Sequence, residues 1–229
     1  MNTIRKGCTL AHCRIWPALC VLLLAGLSAC TSTTIDEFRQ AETGISHDET
    51  VVILGRRQGA GYETAADFVQ CVGDRMGRGR DGLSVVPEQQ FVDALFPWFE
   101  PRTAPLRSDD LQQLMAQPMV SEKMSQFGIR YIVWLDGQTE TTNRMGSISC
   151  TVGPGGGGCF GFGSWEDDSS FEARIWDVSS HTAVGTISAD ANGQSYMPAV
   201  FVPIPLLARV EANACNSLAD QLKLFVQGG

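Results

Sequence analysis

Between Gly55 and Thr64 the sequence reads GRRQGAGYET, and glycines between a strand and a helix can turn backbone N–H groups toward an anion. A Walker loop needs a Lys and a Ser or Thr at its end, and a dinucleotide fingerprint needs a third Gly where Thr64 stands, so this is read as a plain loop. Glu88 is placed where such folds hold a ribose-binding acid, but the stretch separating it from Gly61 is too long for that fingerprint. Hydrolysis needs a nucleophile beside a base. Beyond Ala29 the only histidines are His47 and His181, neither near a nucleophile motif, and no G-x-S-x-G elbow occurs. Glu166, Asp167 and Asp168 form the sharpest acidic cluster; an acid/base pair or a calcium site would be its chemistry, and a solvated hairpin tip is the plainer reading. Asp177, after Trp176, is read as a turn former. No catalytic residue, cofactor or metal is therefore assigned.

The stretch from Met1 to Cys30 carries a stronger signal. Arg5, Lys6 and Arg14 charge the front, and an acid-free apolar run from Ile15 to Leu27 follows, the pattern of a secretory leader over residues 1–29. Its end, Leu27-Ser28-Ala29-Cys30, resembles the lipobox of bacterial lipoproteins. That resemblance implies that Cys30 is acylated and becomes the mature amino terminus, a membrane anchor, and Thr31 in place of an Asp implies the outer membrane, on its periplasmic face. An ordinary leader with another cleavage site is the alternative. Losing three basic residues leaves 14 basic against 25 acidic, a formal charge of −11. Nucleic acid is thereby disfavoured as a partner, because phosphates are neutralised by Lys and Arg, and Arg75, Arg78 and Arg80 form the only cluster.

Cleavage leaves Cys30, Cys71, Cys150, Cys159 and Cys215, and four cysteines in an oxidising compartment suggest two bridges. No CxxC pair is present to favour zinc. Cys150 and Cys159 enclose TVGPGGGG, whose glycines have the most backbone freedom to lose; a bridge offsets that loss, and the loop is expected to be stapled rather than tightly turned. Cys71 and Cys215 each lie one residue from an apolar helical stripe, so helices packed on one face of a sheet would bring them together. Two buried free thiols remain the alternative there.

Two regions could meet a partner. Phe96, Trp98 and Phe99 lie in a proline-bounded loop, and Phe160, Phe162 and Trp165 follow the glycine run. The stretch PAVFVPIPLL, residues 198–207, is apolar yet holds three prolines, poor for a helix or a central strand, and suits a surface for a partner or the membrane. Phe201, Ile204, Leu206, Trp98 and Phe162 are the candidate surface residues, with burial as core as the competing reading.

The elements that must position these groups follow from periodicity. TSTTIDEFRQAETGISHDET after Cys30 is polar and aperiodic, read as a tether over residues 30–50, with a first strand or short helix around Ile35–Phe38 packed on the body as the alternative. Val51–Leu54 predicts a strand, Thr64–Met76 a helix, Leu83–Val86 a strand, and Pro87 opens a helix that Pro97 ends. Ser108-Asp109-Asp110 is suited to cap a helix over Leu111–Gln117, a short helix follows at Ser121–Phe127, and Ile129–Leu135 is the strongest strand. Strand and turn signals then predict antiparallel hairpins, with a Gly-rich hairpin insertion over residues 146–165, and Leu207–Val226 an amphipathic final helix. The expectation is one α/β domain over residues 51–226, a mixed sheet with helices packed on it.

A lipobox, a βαβα start, a strong strand in SQFGIRYIVWL, a hairpin through ARIWDVSSHTAVG and a final helix together resemble the TolB amino-terminal-like domain of bacterial envelope lipoproteins, among them curli-secretion lipoproteins and activators of cell-wall synthases. The resemblance implies a non-enzymatic module that binds envelope proteins or self-associates in the periplasm. A lipid or small-molecule carrier subunit and a periplasmic hydrolase are the other function classes.

Overall fold

A computed structural model describes residues 31–57, 63–99 and 103–229. Cys30 and the leader, on which the anchoring expectation falls, lie outside the described residues. The strands are β1 Thr31–Arg39, β2 Thr50–Gly55, β3 Val85–Val86, β4 Ile129–Gly153, β5 Gly156–Asp177 and β6 Thr182–Pro203. The helices are α1 Ala66–Met76, α2 Glu88–Ala94, α3 Ser108–Met115, α4 Pro118–Gln126 and α5 Val210–Gln227. All six strands form one sheet in the order β1-β6-β5-β4-β2-β3. Strand β2 runs parallel to β3 and β4 while the other pairings are antiparallel, so the fold is an α/β domain with a mixed sheet.

Strand β2 shows why its sequence, TVVILG, has no polar alternation: both faces are covered. Val51 and Ile53 face a core with Phe68, Val72 and Met76 of α1 and Leu218, Leu222 and Phe225 of α5. Val52 and Leu54 face a second core with Phe91 of α2, Leu111 and Met115 of α3 and Val120 and Met124 of α4. The sheet thus lies between two helical layers. Phe68 stacks on Phe171 of β5 with ring centroids 3.5 Å apart, pinning α1 to the sheet centre. Cys71 of α1 is bonded to Cys215 of α5 with a Cα separation of 6.3 Å, which ties together the two helices of that layer.

The segment expected to be a tether is instead an edge strand from Thr31 to Arg39, as the alternative had it. Thr31, Thr33 and Ile35 are half-buried and alternate with exposed Ser32, Thr34 and Asp36, a period-2 pattern carried mostly by β-branched threonine. It pairs with β6 in unbroken register from Thr31 opposite Gly193 to Arg39 opposite Gly185. Its far end is fastened to the body: the Arg39 guanidinium lies 4.0 Å from the Phe225 ring centroid, and the Tyr131 hydroxyl donates to the Gly44 carbonyl at 2.9 Å. Ser108 and Asp109 also differ from expectation. They make no side-chain cap; helix α3 begins at Ser108 itself, and both side chains accept from Arg174 at 2.8 Å.

Candidate interaction site on a three-stranded arm

Strands β4, β5 and β6 are 25, 22 and 22 residues long, several times the usual five or six. Only part of that length belongs to the body. The β2 pairing ends at Leu135 and the β1 pairing at Gly193, beyond which no other described strand flanks the three. From Asp167, opposite both Thr141 and Gly193, to the turn at the far end is ~35 Å at about 3.3 Å per residue.

The ladder runs on to Gly153 opposite Gly156, leaving Pro154 and Gly155 as a two-residue turn. Cys150 and Cys159 face each other in that ladder and are bonded, with Cα atoms 4.0 Å apart. The glycine loop is therefore both stapled and tightly turned, which corrects the expectation of a loose loop. A Gly-rich strand has little side-chain pattern to set its register, and the bridge sets it. Residues 146–165 are accordingly no separate insertion; they are the distal halves of β4 and β5. Two glycines in the arm allow close approach. Gly146 (φ +87) and Gly161 (φ +145) face the partner backbone so closely that a Cβ would fall 2.1 Å from the Phe162 carbonyl oxygen and 2.2 Å from that of Ser147, respectively.

Phe160 and Phe162, two residues apart on β5, share one face, with Val200 and Pro198 of β6 opposite them. Phe201 has a left-handed backbone (φ 71), and its ring meets Phe160 edge-on at 5.1 Å. Phe162 lies 6.0 Å from Tyr196. Pro198 is tolerated in β6 because it lies beyond the reach of β1, on an edge. That edge is closed by the chain's own return: Ile204 N–H donates to the Pro198 carbonyl at 2.9 Å, and Leu206 and Tyr196 exchange backbone bonds of 2.7 and 2.9 Å. Phe160, Phe162, Val200, Phe201 and Ile204 are all at least half exposed, and Leu206 is half-buried beside them. Of the candidate surface residues, Phe162, Phe201, Ile204 and Leu206 come together here. Trp98 does not: it packs half-buried against the second core of the body, while Phe99 is buried against Phe91.

A further property of the arm lies in what it lacks. No Asp, Glu, Lys or Arg occurs from Met145 to Trp165 or from Ala191 to Ala208, where a chain 18% charged would carry about seven. This double gap is the signal that sequence reasoning passed over, along with Tyr196, which lies in it.

The acidic cluster sits in mid-strand rather than at a hairpin tip, and the strand pleat divides it. Asp167 accepts from Thr141 at 2.7 Å, Trp165 Nε1 at 3.1 Å and Ser195 at 3.3 Å. Glu166 and Asp168 point to the other face, accepting from Asn143 at 2.8 Å and Thr142 at 3.0 Å. Asp177 is a turn former: its Oδ1 accepts from the Ser179 and Ser180 N–H groups at 2.8 and 3.1 Å and from Arg130 at 2.8 Å. His47 is exposed before β2, and His181 occupies the β5–β6 turn with φ 55. Among the described residues no three His, Cys, Asp or Glu side chains gather as a metal site.

A cleft of about 750 Å³ lies between α1, β3 and the start of α2. Glu88 lines it, accepting from the Gly55 N–H at 3.2 Å and pairing with Arg57 at 3.1 Å. Burial pushes the Glu88 carboxyl above its ordinary range, opposed by Arg57 and the Gly55 N–H. Arg57, Asp74 and Arg78 also line the cleft, and Glu88 within it is a partnered carboxylate.

No family model and no curated protein matches the sequence. Among solved structures the chain is similar to the PelC dodecamer from Paraburkholderia phytofirmans in two crystal forms. For one, a variant, the identity is 12% and the TM-score 0.41, over 86% of this chain and 100% of that one. For the other, identity is 12% and the TM-score 0.40, over 86% and 99%. A likeness this distant says nothing of function or assembly.

Proposed function

We propose that this protein is a lipid-anchored envelope module, acylated at Cys30 on the periplasmic face of the outer membrane, that works by contact through its arm rather than by catalysis. The carrying observation is the arm itself: three strands extended far beyond the body, uncharged over their distal half and bearing exposed aromatic side chains. Such patches on a soluble body are the mark of interaction surfaces. The TolB-like resemblance and the envelope partner it implies belong to this proposal. The carrier reading has the cleft beside Glu88 in its favour. The hydrolase reading has less, since Asp167 and its acidic neighbours face opposite ways.

Two experiments test the proposal. Palmitate labelling should mark the wild-type protein and not Cys30→Ser. A photo-crosslinker placed at Glu140, at the exposed base of the arm on β4, should yield a discrete protein adduct in membranes. An unlabelled wild type refutes the anchor, and absence of any adduct refutes the contact module.

A further inference from the structure

The direction in which the first strand runs constrains the arm. Thr31 pairs with Gly193, and β1 is antiparallel to β6, so the chain upstream of Thr31 joins the sheet from the arm's side. Cys30 is one residue away, about 3.8 Å from Thr31 in Cα terms. An acyl anchor at Cys30 therefore holds the bilayer close to Thr31, at the level where the arm leaves the body. The arm then continues another ~35 Å on that same side, too far to stand clear of the membrane surface.

We propose that the distal arm lies in the headgroup and upper acyl layer of the bilayer that holds the anchor, with Phe160, Phe162, Val200, Phe201, Val202 and Ile204 as the inserted side chains. The inference rests on the lipid-anchored reading above and names the lipid as what the arm tip meets. Three observations favour lipid over a protein partner or a second copy. The chain places anchor and arm at one end. The arm has no charge to desolvate, either from Met145 to Trp165 or from Ala191 to Ala208. Its exposed side chains are phenylalanine, valine and isoleucine with Tyr196 beside them, the composition that partitions into an interface. Protein contacts then fall on the base of the arm and on the body.

The test uses the mature chain, residues 30–229, with Cys30→Ser, so that neither the leader's apolar run nor an acyl group contributes, mixed with vesicles of phosphatidylethanolamine and a minority of phosphatidylglycerol. Flotation should recover the protein with the vesicles, and binding should persist at high salt because no charge in the tip drives it. A Phe162→Trp reporter should shift to the blue and be quenched by brominated acyl chains. Adding Phe160→Ser, Phe162→Ser and Phe201→Ser should lower partition at least about tenfold. Ser147→Lys with Ser149→Lys, at exposed positions opposite Phe162 and Phe160, should do the same with the apolar side chains intact, and circular dichroism reports that the sheet persists in both. Equal partition of parent and variants, or none by the parent, overturns the inference. So does a parent that forms arm-dependent dimers without binding vesicles. Each of those leaves the contact module standing if palmitate still labels Cys30 and the Glu140 adduct still forms; failure of those two instead removes the reading on which the inference rests.

Discussion

The two disulfides close loops of very different length, and that difference sets how much each stabilises the fold. Cys71–Cys215 spans 144 residues and joins two helices, whereas Cys150–Cys159 spans 9 and joins adjacent strands. Restriction of the unfolded chain grows with the logarithm of loop length, giving about 5 kcal/mol for the first and about 2.6 kcal/mol for the second at 25 °C. The perturbations are the paired substitutions Cys71→Ala with Cys215→Ala, and Cys150→Ala with Cys159→Ala, which leave no odd thiol. Cys215 is fully buried between α1 and α5, so removing its sulfur adds about 1 kcal/mol of lost packing. Against a total stability of about 5–15 kcal/mol, loss of the long bridge is a large fraction. For a chain of this size it corresponds to a fall in Tm of roughly 10–20 °C, and loss of the short bridge to no more than roughly 5–10 °C. Calorimetry under non-reducing conditions measures both. The second pair has its main effect locally, as faster amide exchange over Thr151–Gly158. An equal or larger fall in Tm from the arm-tip pair would refute the reasoning, because it would mean that loop length is not what the long bridge contributes.

Other perturbations probe separate parts of the fold. Burial raises the Glu88 carboxyl above its ordinary 4.5, so the folded protein holds that proton longer than the unfolded chain does, and stability falls as pH rises from about 4.5 through the raised value. Glu88→Gln should remove that slope in urea titrations between acid and neutral pH; an unchanged slope would show that other groups carry it. Asp177→Ala strips the acceptor from Arg130, Ser179 and Ser180 at a mostly buried turn, and should cost about 2–4 kcal/mol by urea denaturation. Gly137→Ala places a Cβ 2.2 Å from the Ser170 carbonyl oxygen at φ +151, and a loss of at least ~2 kcal/mol is expected in the same assay.

The body of the fold was legible because its elements are buried in the ordinary ways. VVIL reads as a strand covered on both faces, and the stripe through Val210, Ala214, Leu218, Leu222 and Phe225 reads as a helix lying on a sheet. Strand β1 resembles a tether in sequence because an edge strand needs little apolar surface: Ile35 is the only aliphatic side chain in its half-buried row, and the alternation rests on threonine. The antiparallel hairpins expected after Gln138 are there, but Gly and Pro ordinarily mark turns, which hides from the sequence that the three strands run unbroken for 25, 22 and 22 residues. Here Gly137, Gly146 and Gly161 stand inside strands, where they permit close approach of the paired backbone, and Pro198 occupies an edge. Residue type alone does not distinguish those uses, because the distinction lies in what the partner strand brings opposite. The same reason separated Trp98 from the rest of the candidate surface: its aromatic, proline-bounded context matches that of Phe201, but a second helical layer covers one and nothing described covers the other.

The charge of the body bears on how the arm meets a membrane. With 25 acidic residues against 14 basic ones beyond residue 29, the body is repelled by an anionic lipid surface, and the repulsion acts over roughly a Debye length of 8–10 Å. Attachment by the arm has to work against that field, so it must rest on apolar burial, which is insensitive to salt. The uncharged distal arm meets this requirement where an amphipathic basic helix would not. It also fixes a sign: added salt weakens the repulsion of the body and leaves the apolar contribution in place, so vesicle binding of the Cys30→Ser chain should hold or strengthen as ionic strength rises. Binding driven by basic side chains would weaken instead. Phe160, Phe162 and Phe201, clustered beyond the last charged residues of β4 and β5, place the apolar contact ~17–26 Å along the arm from the level of Thr31.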